Sequence, residues 1–257
     1  MTNAEMFRFA KRPVLSLRSE RDPGNATLPS CLFRESGTSL VMSSNPDNAT
    51  SRGWHSRGYL PHFDSSVHAQ HVTVHLADSL PKSAIERIDQ MIEALPDQER
   101  VIERRKCLHE WIDAGHGSCI LREPELAQIV EGALHFFDGE RYLLFAWVVM
   151  PNHFHVLFQP MDEWSMAEIV ASWKKFTATE IKKWQSANAE IRDPGNATLL
   201  SCSTSGKSPL WHPEYWDRYI RNKKHFHDVI NYIHQNPVKA KLCTHPSDWR
   251  FSSADQA

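Results

Sequence analysis

The sequence predicts an α+β fold, in which a ferredoxin-like βαββαβ sandwich contains an antiparallel sheet and carries extra helices. Three observations indicate this fold. The segment HVTVHL (71–76) alternates apolar and polar residues with the two-residue period of a strand. Two apolar segments, YLLFAWVVM (142–150) and HFHVLF (153–158), follow one another closely, as paired strands do. Segments with helical spacing lie before and after that pair, and we expect the helices to cover one side of the sheet.

Three helices are predicted between the first strand and the pair of strands. One begins after Pro81 and carries isoleucine and leucine residues at helical spacing. Two more are predicted over 98–114 and 123–137, and the first of these ends at a glycine. The continuous apolar run 142–150 is typical of a central strand that is buried on both faces.

The remaining elements complete the βαββαβ order. A long helix is predicted over 165–188, and LWHPEYWDRYI (210–220) is predicted to be a strand or an extended segment. Asn222 is a good N-cap for the last helix, because its side chain can accept a hydrogen bond from a free backbone N–H. That helix is expected to run from Lys223 to Asn236 and to stop at Pro237.

The folded domain is predicted to occupy residues 53–257. Residues 1–52 are rich in Ser, Asn, Pro and Arg without a sustained period, which indicates a disordered tail. Within the tail, RDPGNATLPSC (21–31) matches RDPGNATLLSC (192–202) at ten of eleven positions. Two copies so far apart cannot stack as a structural repeat, so we interpret them as one DNA element translated twice. The second copy predicts a disordered insert at 189–207.

Composition excludes few function classes. The 257 residues are 41% hydrophobic and carry a formal net charge of −2, which gives no support for nucleic-acid binding by itself. The charge is uneven, however: residues 76–140 hold 14 acids against 7 bases, whereas residues 171–250 hold 13 bases against 7 acids. Five scattered cysteines without a CxxC motif indicate a reducing, cytoplasmic location. The chain has no apolar run long enough to predict a membrane span.

His153 and His155 are the first candidate site residues. On a strand they point to one face, whereas Phe154 and Val156 point to the other. Two imidazoles at this spacing can bind one divalent ion. The alternative is that one histidine caps a loop and the other is a hydrogen-bonded core residue, and the HxH pattern alone does not decide.

Tyr232 and Asn236 are the second pair of candidates. They lie one turn apart on the last helix, beside its apolar stripe, so both face the same neighbour. Taken alone, Tyr232 could be an ordinary boundary tyrosine and Asn236 a helix C-cap. No other tyrosine of the chain has a metal-capable side chain one turn later on a helix.

Two of these segments carry a family resemblance. MPNHFHVLF (150–158) resembles the central motif of the one-tyrosine HUH transposases, and NYIHQNPVKAKL (231–242) resembles the tyrosine helix of a branch of that group, the REP-associated tyrosine transposases. RGYLPHFD (57–64), LWHPEYWDRYIRN (210–222) and SDWRFSS (247–253) match in the same order. The resemblance covers about residues 53–257 apart from the insert, and it implies the HUH endonuclease fold.

The resemblance also implies roles for the candidate residues. His153 and His155 would bind the catalytic Mg²⁺ or Mn²⁺, with Asn236 where related enzymes place a third polar ligand. Tyr232 would attack a phosphodiester of single-stranded DNA and form a 5′-phosphotyrosine intermediate. The DNA would be a hairpin of a repetitive extragenic palindrome (REP), and the enzyme would act as a monomer or a homodimer.

Candidate DNA-binding residues come from three places. The stretch Arg57-Gly58-Tyr59 resembles the one that reads a short sequence beside the hairpin in the family. Lys174 and Lys175, with Lys182 and Lys183, could contact phosphates, or they could form a solvated helix face. Arg218 and Arg221 flank the end of the last strand. Trp211 and Trp216 could stack on bases, although packing in the core is the alternative we favour.

Three functions remain open from the sequence. The first is a transposase-type endonuclease and strand transferase. The second is a sequence-specific single-strand DNA-binding protein of the same fold that has lost cleavage, since the insert could loosen the tyrosine helix. The third is a metallohydrolase of small molecules, which would need a further acidic or histidine ligand set, and no such set is visible in the sequence.

Overall fold

A computed structural model describes residues 53–56, 61–161, 163–188 and 209–256 of the chain. The predicted disordered tail (1–52) and the predicted insert (189–207), with both copies of the repeat, lie outside these residues. None of the described helices is long and apolar enough to cross a membrane.

Six strands and five α-helices are described. The strands are β1 (Gly53–Ser56), β2 (Pro61–Asp64), β3 (Gln70–His75), β4 (Tyr142–Val149), β5 (His153–Pro160) and β6 (Trp216–Tyr219). The helices are α1 (Lys82–Ile92), α2 (Asp97–Asp113), α3 (Pro124–Phe136), α4 (Met166–Asn188) and α5 (Lys223–Lys239). Each predicted helix and strand between residues 71 and 236 is therefore present, with ends shifted by a few residues.

The main sheet confirms the predicted fold class. Its four strands lie in the order β4-β5-β3-β6, and every neighbouring pair is antiparallel. The first strand of the unit, β3, is thus central, with the last strand on one side and the third on the other. This order follows from a βαββαβ chain whose helical connections cross over the sheet. β1 and β2 form a separate two-stranded hairpin.

Helices cover both faces of the sheet, so the expectation that they lie on one side is wrong. α3 and α4 pack on the face that carries Val72, Phe154 and Val156. α5 packs on the opposite face, which is called the α5 face below, against Ala146, Val148 and Leu157. Because β4 and β5 carry apolar side chains on both faces of the sheet, helices must cover each face to shield it from water. The helices α1 and α2 pack against the β6 side of the α5 face through Trp216.

β4 lies at an edge of the sheet, which corrects its prediction as a central strand. Its apolar run reflects burial by a segment that is not a strand of the sheet. The backbone N–H of Val149 donates to the carbonyl of Phe251 at 2.8 Å, and that of Trp147 donates to Ser253 Oγ at 3.0 Å. Residues 251–253, from the motif SDWRFSS, therefore occupy the edge that a further strand would otherwise fill.

α5 begins where it was predicted but ends later. Asn222 caps it, since its side chain accepts a hydrogen bond from the backbone N–H of His225 at 2.9 Å. The helix then continues through Pro237 to Lys239, so the predicted stop at Pro237 is wrong. Pro237 removes one backbone hydrogen bond, but it is buried, and the N–H of Ala240 still donates to Asn236 O at 2.9 Å.

The β1–β2 hairpin is joined to β6 through His62. The ring of His62 is buried, with Nδ1 against a carboxylate oxygen of Asp217 and Nε2 at 3.2 Å from Glu214 Oε2. The second oxygen of Asp217 accepts from the backbone N–H of Phe63 at 3.1 Å. Both ring nitrogens can donate to carboxylates only if the imidazole is protonated. A charged contact therefore holds the β1–β2 hairpin to β6.

The stability of this contact should depend on pH. The hydrogen bond to Asp217 raises the pKa of His62 above its ordinary value of 6.5, burial opposes the rise, and the charges of Asp217 and Glu214 add to it. Because the folded pKa is the higher one, the stabilisation is complete below the unfolded value and is lost as pH rises through the folded value. We expect the melting temperature of the native protein, relative to His62→Gln, to fall as the pH rises above about 6.5.

His227→Gln is the control variant, because the side chain of His227 is exposed and lies outside this contact. Melting temperatures of the native protein and His62→Gln that change in parallel with pH would show that the pKa of His62 is not raised in the fold.

Candidate metal and nucleophile site

β5 presents His153 and His155 on the α5 face, as strand alternation predicts. In the sheet register, His153 lies opposite His75 and His155 lies opposite Thr73. Both histidines are fully buried, and their Nε2 atoms are 3.0 Å apart. Two nitrogens at this distance can share one ion, because bonds of about 2.1 Å to one metal place neighbouring ligand atoms about 3.0–3.4 Å apart.

Asn152 fixes which nitrogen of His153 faces the site. The side-chain amide of Asn152 donates to the carbonyls of Ile112 and His116, both at 3.0 Å, so its oxygen is left to accept from His153 Nδ1 at 2.7 Å. With the proton on Nδ1, the Nε2 of His153 has a free lone pair. His155 Nδ1 contacts Thr73 Oγ1 at 2.9 Å, which orients its Nε2 toward the same point. These partners prepare both imidazoles for metal binding.

Asp113 is a site residue that the sequence analysis missed. It ends α2, and its Oδ1 lies 3.5 Å from His153 Nε2 and 3.6 Å from His155 Nε2. That oxygen is shielded from solvent and has no hydrogen-bond partner among the described residues. Asp113, His153 and His155 thus form a group that could hold a metal ion. One sequence pattern could have pointed to Asp113. Arg105, His109 and Asp113 are spaced four residues apart, which places three polar groups on one side of α2.

α5 brings the two remaining candidates to the same place. The Tyr232 hydroxyl donates to Asp113 Oδ2 at 3.0 Å, and its ring contacts that of His155 with centroids 5.2 Å apart. Asn236 is buried, with Nδ2 at 3.1 Å from His155 Nε2 and with Oδ1 lacking a partner among the described residues. A half-turn of this amide would present Oδ1 to the histidines instead. The structure therefore brings together all four residues predicted from the β5 and α5 motifs.

The electrostatics keep His153 and Asp113 in their metal-binding forms. Burial, followed by the charge of His155, holds the pKa of His153 well below its ordinary value, so its imidazole is neutral. Burial alone would raise the pKa of Asp113, but the nearby His155, with smaller effects of His153 and of the hydrogen bond from Tyr232, holds it well below its usual range. Metal ligands must be deprotonated, and both groups meet that condition at neutral pH.

Tyr232 is held in its protonated form. Burial, then the charge of Asp113 and the hydrogen bond to it, raise the pKa of Tyr232 far above its ordinary value, while Asn236 acts in the opposite direction. A phenol in this setting is a poor nucleophile on its own, so any reaction at Tyr232 requires that its proton be accepted as attack proceeds.

Loss of the Asn152 contact should weaken metal binding. Asn152→Ala removes the acceptor that holds the proton of His153 on Nδ1, and outer partners of this kind are typically worth roughly 10- to 100-fold in metal affinity. We therefore expect Mn²⁺ to bind roughly 10- to 100-fold more weakly to Asn152→Ala, as measured by the electron paramagnetic resonance signal of free Mn²⁺. Unchanged affinity in a folded variant would contradict the orienting role of Asn152.

The other predicted site residues are more dispersed. Arg57, Gly58 and Tyr59 lie outside the described residues. Lys174 Nζ donates to the carbonyls of His212 and Pro213, both at 2.7 Å, which joins α4 to the segment before β6. Lys175 is exposed, but α4 packs on the face of the sheet opposite the histidines.

Arg218 and Arg221 are both exposed; Arg218 lies on the α5 face of β6, and Arg221 follows that strand in the chain. The two tryptophans are core residues, as favoured above: Trp211 donates to Thr177 Oγ1 at 2.8 Å, and Trp216 stacks on His75.

Comparison with known proteins supports the resemblance seen in the motifs. No family model matches the chain. The chain is 31% identical over 112 residues to a REP-associated tyrosine transposase of Escherichia coli (strain K12), covering 42% of this chain and 52% of the relative. It is 26% identical over 110 residues to a putative REP-associated tyrosine transposase of Haemophilus influenzae, covering 41% and 54%. The chain thus spans about half the length of these relatives, and its similarity in sequence to the REP-associated tyrosine transposases is confirmed.

Two solved structures are also similar. One is a REP-associated tyrosine transposase bound to a REP hairpin, with a TM-score of 0.43 and 17% identity over 74% of this chain and 78% of that chain. The other is a putative transposase from Deinococcus radiodurans, with a TM-score of 0.30 and 15% identity over 71% and 96%.

Proposed function

We propose that this protein is a transposase-type endonuclease that cleaves and rejoins single-stranded DNA hairpins of the REP type through a 5′-phosphotyrosine intermediate. One observation carries the proposal: the carboxylate of Asp113 accepts a hydrogen bond from Tyr232 with one oxygen and faces His153 and His155 with the other. A nucleophile and a metal-binding cluster that share one carboxylate suit attack on a phosphodiester. Sequence similarity to REP-associated tyrosine transposases supports the choice of substrate.

The residues present fit a divalent ion, which we take to be Mg²⁺ or Mn²⁺. The imidazoles of His153 and His155 and the Asp113 carboxylate supply the ligands, and the buried Oδ1 of Asn236, which has no partner among the described residues, could supply another after a turn of its amide. When bound, such an ion would polarise the phosphate and stabilise the departing 3′ oxygen. Asp113 is therefore a candidate for the third metal-ligand position, which the family resemblance implied for Asn236.

The chemical step uses the protein's own groups as follows. The Tyr232 oxygen attacks phosphorus, and the bond from phosphorus to the 3′ oxygen breaks. Asp113 Oδ2, already at 3.0 Å, accepts the phenolic proton, while the departing 3′ oxygen takes a proton from solvent water and leaves as a free hydroxyl. The product is a tyrosyl ester of the 5′ phosphate. Because the ester conserves the energy of the bond, a 3′-hydroxyl of another strand can reverse the step and join the ends.

One copy of the chain can supply a complete site. Asp113 comes from α2, the histidines from β5 and the tyrosine from α5 of the same chain. This arrangement supports a monomer, rather than a homodimer, as the acting form. The free thiols Cys107, Cys119 and Cys243 suit a reducing compartment, which supports the cytoplasm as the location.

The proposal is tested with a labelled REP hairpin that carries single-stranded flanks. Incubation with Mn²⁺ or Mg²⁺ should give a covalent protein–DNA band after denaturing electrophoresis, and EDTA should prevent it. Binding of the hairpin without any covalent band would overturn cleavage and favour the DNA-binding alternative.

The metallohydrolase alternative gains a ligand from Asp113, which the sequence analysis did not identify. It is distinguished by Tyr232, since a hydrolase that uses only the metal cluster would keep its activity on a small phosphodiester in Tyr232→Phe.

A further inference from the structure

His71 lies beside the nucleophile with an unused nitrogen. It sits on the α5 face of β3, and its ring centroid is 5.8 Å from that of Tyr232 and 5.4 Å from that of His155. Its Nε2 is shielded from solvent and has no hydrogen-bond partner among the described residues. A shielded polar atom normally has a partner, so this nitrogen is suited to a ligand that enters the site.

Two arginines from different elements converge on His71. Arg218 lies directly opposite His71 in the β3–β6 register, on the same face of the sheet. Arg105 lies two turns before Asp113 on α2, and its Nη2 donates to the backbone carbonyl of Asp217 at 3.1 Å, next to Arg218. The helix that carries Asp113 into the site therefore also carries a guanidinium to β6.

These arginines are not neutralised by carboxylates in the described part of the chain. No ion pair within 4.0 Å joins Arg105, Arg218 or Arg221 to an acidic side chain there. The side chain of Asp217 points to the other face of β6, where it contacts His62. Burial, then the charges of Arg221 and Arg105, lower the pKa of Arg218, which shows that the cations act on one another.

We propose that His71, Arg105 and Arg218 form a phosphate subsite, which holds the phosphodiester adjoining the one that Tyr232 attacks. Guanidinium groups bind phosphate oxygens through paired hydrogen bonds, and the Nε2–H tautomer of a neutral imidazole adds another donor. The subsite fixes the strand so that the neighbouring phosphorus lies in front of the nucleophile. The identity of its ligand as DNA rests on the proposed function.

The subsite is tested by binding, independently of cleavage. A fluorescein-labelled, mixed-sequence single-stranded 20-mer is titrated with the protein at several salt concentrations, without a divalent ion. Each phosphate contact to single-stranded DNA contributes about 0.7 to the slope of log affinity against log salt. We expect Arg105→Ala and Arg218→Ala each to lower this slope by about 0.7 and to weaken binding roughly tenfold. Arg218→Lys should keep the slope, since it keeps the charge.

Arg104→Ala is the matched control, because Arg104 is adjacent to Arg105 but pairs with Asp89 at 2.6 Å. Its slope should equal that of the native protein. If Arg105→Ala and Arg218→Ala also keep the native slope while remaining folded, the subsite is overturned.

Cleavage is a separate readout of the same variants. Once the cleaved bond is mapped, a neutral methylphosphonate at the adjoining position should slow adduct formation by the native protein but not slow Arg218→Ala further. An equal additional loss in Arg218→Ala would place the contact elsewhere and overturn the assignment. Absence of an adduct from every protein, with the expected slopes, would reject the proposed cleavage and leave the subsite standing.

Discussion

Replacing Tyr232 with phenylalanine is expected to abolish the covalent protein–DNA adduct. Phenylalanine has the same ring but no oxygen to bond to phosphorus, and no other tyrosine among the described residues lies next to the histidine cluster. Tyr142 donates to Leu134 O at 2.8 Å within the core, and Tyr219 contacts Phe63 at the hairpin. The adduct should fall below detection on denaturing gels, whereas hairpin binding should stay within a few fold of native.

Two measurements separate loss of the nucleophile from loss of the site. Tyr232→Phe should still bind Mn²⁺, because His153, His155 and Asp113 are unchanged. Tyr219→Phe, on the opposite side of β6, should form the adduct at the native rate. An adduct that persists in Tyr232→Phe would mean that another group attacks the DNA, and peptide mapping of that adduct would identify it.

Replacing Asp113 with asparagine is expected to have the second largest effect. The change keeps the size of the side chain but removes the carboxylate charge that, among the described residues, faces the two histidines. Changes in the outer partners of a metal typically weaken binding 10- to 100-fold, so loss of a charged ligand should cost roughly a hundredfold or more in Mn²⁺ affinity. Adduct formation should fall at least as much, because the acceptor of the Tyr232 proton is lost too.

The Asp113 variant also has a distinctive effect on the tyrosine. The charge of Asp113 is one cause of the raised pKa of Tyr232, so Asp113→Asn should bring that pKa down toward its ordinary value, as followed by ultraviolet titration of native and variant proteins. Glu110→Gln, at an exposed position of the same helix, is the control and should leave metal affinity and adduct formation unchanged. Native Mn²⁺ affinity in Asp113→Asn would remove Asp113 from the ligand set.

Local sequence patterns were sufficient to locate the elements and four of the five residues that meet at the candidate site. The alternation around His153 and His155 fixes which face they share, and the helical spacing of Tyr232 and Asn236 fixes their common direction. Both relations depend only on backbone geometry within one element, which is why they hold in the folded structure. The βαββαβ order likewise restricts the sheet to very few arrangements.

The contribution of α2 could not be predicted in this way. Asp113 is distant in sequence from the histidines and the tyrosine, and α2 carries many charged residues that resemble a solvated surface. Its position in the site depends on how α1 and α2 pack on Trp216, which is a contact between distant parts of the chain. The same limitation explains why β4 was predicted to be a central strand. An apolar run indicates that a segment is buried, but it does not indicate whether a neighbouring strand or a loop buries it.

The contacts of residues 251–253 with the edge strand β4 protect the protein from self-association. β4 has eight residues, is largely apolar, and would present unpaired backbone groups along its outer side if residues 251–253 were displaced. An open edge of this kind is a template for pairing with other chains. The short SDWRFSS segment is far in sequence from the candidate site. A mutation in this segment should therefore cause self-association of the protein before it slows the reaction.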